Sequence, residues 1–383
     1  MTDKNKRIFL SSPHMSGNEQ KYIQEAFDLN WIAPLGNNVD GLEKELADYN
    51  AINGAAVVTS GTAAIHLALR LLEVSAEDTV FCSSLTFVAS ANPILYQGAT
   101  PVLIDSEMDT WNMSPVALER GLAEAQADGS LPKTVIIVNL YGQSAKMDEL
   151  VAICDSYGVP VIEDAAESLG STYKGQKSGT FGKFGIFSFN GNKIITSSGG
   201  GALISDDEEA LAKSRFLATQ ARDQAVHYQH SEIGYNYRMS NIVAGIGRGQ
   251  LEVLDERVGQ RKAVFERYYQ AFAYVPGIKF QPELADTMSN RWLTALTIDP
   301  EVAGVSNHDI IDRLAEENIE ARPVWKPMHL QPLFDGVKYY AHEEGNSVSD
   351  YLFEYGLCLP SGSNMSVEEQ ERVIGIINEV LNK

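Results

Sequence analysis

The sequence predicts an α/β architecture with a largely parallel sheet, followed by a smaller unit of mixed content. Short apolar runs alternate with helix-period segments between residues 55 and 204, and that alternation is the pattern of strands joined by crossover helices. After Val275-Pro276-Gly277 the alternation breaks, and strand and helix signals no longer follow one another regularly. The chain has 383 residues, 44% of them hydrophobic and 21% charged, which is enough to bury a core and divide into a large and a small domain.

The first unit is a strand over 55–59, a Ser60-Gly61 turn and a helix over 62–72, in which Ile65, Leu69 and Leu72 share a face. Further strands are expected at 79–82, 101–104, 134–138 and 159–162, with a helix at 147–157 between the last two. Residues 184–189 and 201–204 read as paired strands joined by the loop that contains Lys193. A helix over 208–218 precedes a polar, aromatic loop at 219–237, and helical character resumes over 241–267. Beyond the break come a strand at 293–298, a helix at 308–318, a loop rich in Pro and His, and a last helix at 367–381. We therefore expect a large domain over 1–250 and a smaller one over 251–383 that begins with a connecting helix.

Charge narrows the function. With 51 acidic and 30 basic residues the formal net charge is -21, which opposes nonspecific binding to nucleic acid or to anionic lipid. The apolar stretch Ile8 to Leu10 is too short for a secretory core, and no segment has the length of a membrane helix, so the expected location is cytoplasmic. Cys82, Cys154 and Cys358 are too dispersed for a redox pair or a metal cluster and are expected to be buried; no metal is predicted. The sequon at Asn112 to Ser114 carries little weight without a secretory route.

Several residues have the chemistry of a site. Asp164 ends the strand VPVIED, at the edge where ligands bind an open parallel sheet, and its carboxylate can keep a pyridine nitrogen protonated; an Asx-type cap explains the same position. Lys193 in GNKIITSSGGG can form a Schiff base with an aldehyde and shuttle a proton, although an arbitrary lysine is usually solvated. Its apolar, glycine-rich surroundings argue against free solvation. Ser60, Gly61 and Thr62 place hydroxyls and N–H groups at a helix start, which suits phosphate or simple N-capping, and Ser188 can add a further donor. Phe87 can lie against a ring or belong to the core. Gly245, Gly247 and Gly249 lie in a helical pattern without a preceding strand, so they are assigned to close packing rather than to a dinucleotide loop. His329 in WKPMH can enter a substrate pocket or simply pack.

Taken in order, TSGTAAIHLAL, SSLTFVASANPI, VIEDAAESLG, FGIFSFNGNKIITSSGGG, GYNYRMSN and RPVWKPMHLQP resemble the DegT/DnrJ/EryC1/StrS family of sugar aminotransferases over nearly the whole chain. The resemblance implies fold type I, similar to aspartate aminotransferase, with pyridoxal 5'-phosphate as cofactor and a homodimer with sites near the interface. It gives Lys193 to the internal aldimine, Asp164 to the pyridine nitrogen, Gly61, Thr62 and Ser188 to the phosphate, and Phe87 to the ring. Asn236 resembles the residue supplied to the phosphate across the dimer interface. Glu167 stands near the cofactor where relatives commonly have glutamine or histidine, and an ionised carboxylate there accepts but cannot donate. His329 is retained as a substrate residue.

Within the family the chain looks most like enzymes that move an amino group from L-glutamate to C4 of a UDP-4-keto-6-deoxy-N-acetylhexosamine. Alternatives are a C3 aminotransferase or one for a dTDP- or GDP-linked keto-sugar, a cofactor-dependent dehydratase, and a noncatalytic sugar-nucleotide sensor. Retention of Lys193 favours amino transfer over dehydration.

Overall fold

The computed structural model describes residues 6–382. The predicted alternation forms an eight-stranded sheet from β1 (Gly54–Val58), β2 (Thr79–Ser83), β3 (Thr100–Ile104), β4 (Thr134–Val138), β5 (Val161–Asp164), β6 (Phe184–Ser188), β7 (Gly201–Ser205) and a late strand, Tyr339–Tyr340. Spatially the order is β1-β7-β6-β5-β4-β2-β3, closed by Tyr339–Tyr340. β7 is antiparallel to β1 and β6, and the other neighbouring pairs are parallel. Helices cover both faces, so the central strands are largely apolar and buried: all five residues of β4 are buried.

The longer helices of the first part are α1 (Glu19–Asp28), α2 (Asn37–Asn50), α3 (Gly61–Leu71), α4 (Pro115–Ala127), α5 (Met147–Ser156), α6 (Glu208–Ala218) and α7 (Asn241–Leu251). The helical stretch expected over 241–267 is two helices, because the chain breaks at Glu252-Val253 before α8 (Leu254–Phe272). α7 lies against α1 and α2, and its glycines permit the approach. A Cβ on Gly245 would stand 3.0 Å from Tyr22 Cβ, one on Gly247 2.8 Å from Leu42 Cδ2, and one on Gly249 2.7 Å from the Glu19 backbone nitrogen. The glycine run is thus a packing surface, as expected.

A second, four-stranded antiparallel sheet contains β8 (Ile278–Phe280), β9 (Thr294–Ile298), β10 (Arg322–Pro323) and β12 (Gly356–Leu359), where β11 denotes Tyr339–Tyr340 of the large sheet. Its order is β8-β9-β12-β10. α9 (Asn307–Glu316) and α11 (Val367–Leu381) pack on it, with α10 (Val348–Tyr355) between them in sequence. Capping boxes at Ser306/Asp309 and Ser366/Glu369 start α9 and α11. α8 contributes Val264, Tyr268 and Phe272 to this second core. The chain crosses residue 250 in both directions: β11 pairs with β3 of the large sheet, and Ile8 enters the smaller core and bridges to Ile319.

All three cysteines are buried and free. Asn112 is buried too, and its side chain binds the Thr110 and Gln143 carbonyls and the Leu140 N–H, which leaves the sequon inaccessible. Among the described residues no helix is long and apolar enough to cross a membrane.

At Gly249 the neighbour is backbone, which cannot rotate away. Gly249→Val therefore lowers stability by about 1–3 kcal/mol, seen as a lower urea midpoint at an unchanged m-value.

Candidate active site

The strands β1, β2, β4, β5 and β6 end on one edge of the sheet, where an open α/β fold binds its ligands. A cavity of about 530 Å³ lies there. Ser60, Gly61 and Thr62 reach it from the end of β1, Thr86, Phe87 and Ser90 follow β2, Asp164 and Glu167 follow β5, and Ser188 ends β6. Lys193 enters from the β6–β7 loop, and Ser11, Trp292, Glu320 and Trp325 complete the wall.

Asp164 is buried. Its Oδ2 accepts the Ser90 hydroxyl at 2.6 Å, and its Oδ1 accepts the Ala166 N–H at 3.2 Å. Ser90 is itself fixed by Thr86, 2.7 Å away. The Asx-type contact and the cavity position therefore coexist. Burial raises the Asp164 pKa, opposed by the Ser90 and Ala166 hydrogen bonds and by Lys193.

The Lys193 side chain is only 11% exposed, so it is not a freely solvated lysine. Its Nζ lies 3.5 Å from Glu167 Oε1 and 4.2 Å from the centre of the Trp292 ring. The preceding carbonyl, that of Asn192, accepts the Trp292 Nε1–H at 2.7 Å and the Ser11 hydroxyl at 2.5 Å, which anchors the loop. Glu167 Oε2 accepts the Tyr141 N–H at 2.7 Å. Burial pushes the Glu167 pKa up to about 7, against the pull of Lys193 and the Tyr141 N–H. Near neutral pH this carboxyl can therefore donate as well as accept, a capacity that an ordinary ionised glutamate lacks.

At the α3 start, Ser60 is an N-cap whose hydroxyl accepts the Ala63 N–H at 3.0 Å. The capping alternative holds, and Gly61 and Thr62, whose N–H groups have no intrahelical acceptor, line the cavity. A Cβ on Gly61 would lie 3.1 Å from Ser188 Cβ, so glycine lets the helix start approach the end of β6. Among the described residues neither the Thr62 nor the Ser188 hydroxyl has a hydrogen-bond partner, although both line the cavity. Phe87 is 55% exposed and lies 5.5 Å from the Trp325 ring; it lines the cavity rather than the core. A lysine amine, a buried carboxylate, an exposed ring and a hydroxyl-rich helix start together fit pyridoxal phosphate.

Two predicted residues are not brought into this cavity. His329 Nδ1 lies 2.7 Å from Ser84 Oγ, and its ring stacks on Tyr339 at 3.7 Å. Its Nε2 lies 2.8 Å from Asp350 Oδ1, off the line of a good hydrogen bond. Both ring nitrogens face this chain, so His329 fastens the Pro-rich turn to the end of β2. Burial lowers its pKa, with Asp350 opposing. Asn236 is exposed outside the cavity and accepts from the Gln220 side chain, while its sequence neighbours Tyr235 and Tyr237 stack their rings on each other.

Ser11, Ser90, Trp292, Glu320 and Trp325 were not singled out in the sequence. Ser90 follows Phe87 by three residues, and Trp325 stands in the WKPMH loop, so proximity to marked residues was their available signal. Ser11, Trp292 and Glu320 come from distant segments with no comparable signal.

Residues 13–378 match the DegT/DnrJ/EryC1/StrS aminotransferase family. EpsN of Bacillus subtilis (strain 168), which bears the name of a pyridoxal phosphate-dependent aminotransferase, is 66% identical over 97% of this chain and 95% of its own. A GDP-perosamine synthase of Caulobacter vibrioides is 36% identical, with 98% of each chain covered. The structure of Spr1654 from Streptococcus pneumoniae in its PLP form matches with a TM-score of 0.87 at 27% identity, covering 98% of this chain and 99% of that one. The large mixed sheet and smaller α+β domain are thus the fold type I arrangement. The chain belongs to the DegT/DnrJ/EryC1/StrS family and is a pyridoxal phosphate-dependent aminotransferase.

Proposed function

We propose that the enzyme transfers the amino group of L-glutamate to a nucleotide-linked keto-sugar, giving 2-oxoglutarate and an amino sugar. The observation that carries this reading is the shielded Lys193 amine, held beside Glu167 in a cavity that also contains Asp164. For the nucleotide, similarity to GDP-perosamine synthase favours a GDP-linked acceptor. The ordered motifs support the second reading, transfer to C4 of a UDP-4-keto-6-deoxy-N-acetylhexosamine.

When bound, pyridoxal phosphate supplies an aldehyde for the amines and a ring that withdraws electrons. Lys193 Nζ is the amine that holds it. The Asp164 carboxylate keeps the ring nitrogen protonated, while Ser90 and Thr86 hold that carboxylate in place. Thr62 and Ser188, with unengaged hydroxyls, would hold the phosphate at the helix start that Ser60 and Gly61 shape, and Phe87 would pack against the ring. Asn236 of a second copy completes the phosphate site in a homodimer, a reading supported by its exposure outside its own cavity.

Lys193 Nζ, released as a free amine, takes the proton from the donor's α-carbon. In the second half-reaction it returns a proton to the sugar carbon that carried the keto oxygen, and the face it protonates sets the product's stereochemistry. Glu167 keeps a titratable proton beside that amine, and Trp292 excludes water from its other side.

Purified enzyme with L-glutamate and GDP-, UDP- and dTDP-linked keto-sugars is expected to form 2-oxoglutarate and an amino sugar, identified by mass spectrometry and NMR. Lys193→Ala lowers turnover by on the order of a thousandfold. Loss of a sugar hydroxyl without nitrogen transfer would instead identify a dehydratase, and ligand binding without turnover a sensor.

Glu167 also sets a pH dependence. Its folded pKa of about 7 lies above the ordinary 4.5, so the folded state binds more protons between those values. The contribution of Glu167 to stability is fully present below pH 4.5 and is lost as pH rises through 7. In urea titrations of cofactor-free protein, wild type loses on the order of 2–3 kcal/mol more than Glu167→Gln between pH 5 and 8. Parallel pH profiles would remove Glu167 as the titrating group.

A further inference from the structure

The cavity wall carries acids at Asp164, Glu167 and Glu320, and its lysine is already beside Glu167. An amino donor with two carboxylates enters this acidic surface. The counter-charge it needs lies one layer behind the wall.

Arg261, on α8, is 1% exposed. Its Nη1 donates to the Trp292 carbonyl and its Nη2 to Ser11 Oγ at 2.9 Å, while its Nε is buried without a partner. Among the described residues no carboxylate pairs with it, whereas half-buried Arg238 meets Glu43, and buried Arg257 and Arg291 meet Glu256 and Glu283. Burial draws the Arg261 pKa down to about 9, which still leaves it charged at neutral pH. A buried cation without a counter-ion is costly and calls for an anion.

Both residues that Arg261 touches line the cavity. Because Arg261 donates to Ser11 Oγ, the Ser11 proton points to an acceptor on the other side, at present the Asn192 carbonyl. That carbonyl also accepts the Trp292 Nε1–H, so Ser11 can turn to an incoming carboxylate and leave Asn192 satisfied. Glu320 does not repel such a ligand strongly, since Arg322 and the Leu10 N–H already bind it. Asn192 immediately precedes Lys193. An anion docked at Ser11 therefore sits beside the amine that the donor displaces, which suits a carboxylate attached to the reacting carbon better than a diphosphate separated from its keto carbon by a sugar ring.

We propose that Arg261 is a positioning residue for the carboxylate of the amino donor, acting through the hydroxyl of Ser11. The proposal rests on amino transfer from L-glutamate.

The test uses holoenzyme and two readouts: calorimetric binding of glutarate, a dicarboxylate without an amine, and the absorbance change of the first half-reaction against L-glutamate concentration. Arg261→Met is expected to weaken glutarate binding and raise the half-saturating glutamate concentration by roughly tenfold or more, with the limiting rate nearly unchanged. Arg261→Lys, which keeps the charge, recovers most of this loss. Ser11→Ala, which keeps the cation but removes the relay, shows a loss of roughly threefold or more. GDP and UDP affinities stay unchanged in all three.

Glutarate and glutamate affinities within about twofold of wild type in Arg261→Met, or an equal loss for the nucleotides, overturn the proposal. Should Arg261→Met fail to fold, a folded Ser11→Ala protein with wild-type glutarate affinity overturns it instead. Failure of the donor reading is separately visible: wild-type holoenzyme then shows no half-reaction with glutamate, which removes both claims, whereas an active wild type matched by Arg261→Met removes this one alone.

Discussion

Removing charged groups from water at the carboxyl edge of the sheet is the constraint on which the rest of the site depends. Asp164, Glu167 and Lys193 are all shielded, and each charge must be met by a neighbour or shifted towards neutrality. Asp164 is met by the Ser90 hydroxyl and its own Asx turn. Glu167 is met by the Tyr141 N–H and the lysine, and burial still moves its titration to about 7. These partners come from the segments after β2 and β4 and from the β6–β7 loop, so the pocket exists only when several neighbouring strands are in register. The electrostatics of the site and the topology of the sheet are one arrangement.

Close backbone approaches make that arrangement compact. Gly61 lets α3 begin against Ser188, and the three glycines of α7 let α1 and α2 lie close against that helix, with α2 and α7 in a different apolar cluster from α3. The two features differ in purpose. At Gly61 the approach brings a helix N-terminus to the cavity, where first-turn N–H groups suit an anion. In α7 it joins the N-terminal helices to the body of the protein, and those helices lie next in sequence to the Leu10–Ser11 segment that forms part of the cavity wall.

What could be read in the sequence was local. Strand runs such as TVIIV, the helix over 208–218 and the last helix at 367–381 carry their periodicity and boundaries within a short window, and the structure places them at Thr134–Val138, Glu208–Ala218 and Val367–Leu381. α2 was not legible because its buried face includes Asn38, Glu43 and Asn50. Asn50 bonds locally to the Leu46 carbonyl, but the other two meet remote groups: Asn241 Oδ1 accepts the Asn38 and Val39 N–H groups, and Glu43, besides accepting the Val57 N–H, binds Arg215 and Arg238. A polar residue whose burial is satisfied some two hundred positions away looks solvated in a local window. His329 shows the same limit in the other direction. The aromatic, proline-rich loop allows either a substrate role or packing, and the groups that meet the ring, Ser84 and Asp350, are not visible from WKPMH.

The smaller domain shapes the chemistry as well as covering it. Trp292 lies just before β9, yet its ring is over Lys193 and its indole N–H holds the lysine's loop. Trp325 follows β10 and stands beside Phe87 and Tyr141, with its N–H on the Tyr141 hydroxyl. A pure covering role would require only apolar contact. Directed N–H bonds from these two residues to the lysine loop and to the segment after β4 instead fix the relative placement of the two domains to within hydrogen-bond tolerance. A shift of the smaller domain would then move the surroundings of Lys193 directly, and the amine's geometry depends on packing between domains as much as on the strand ends that carry it.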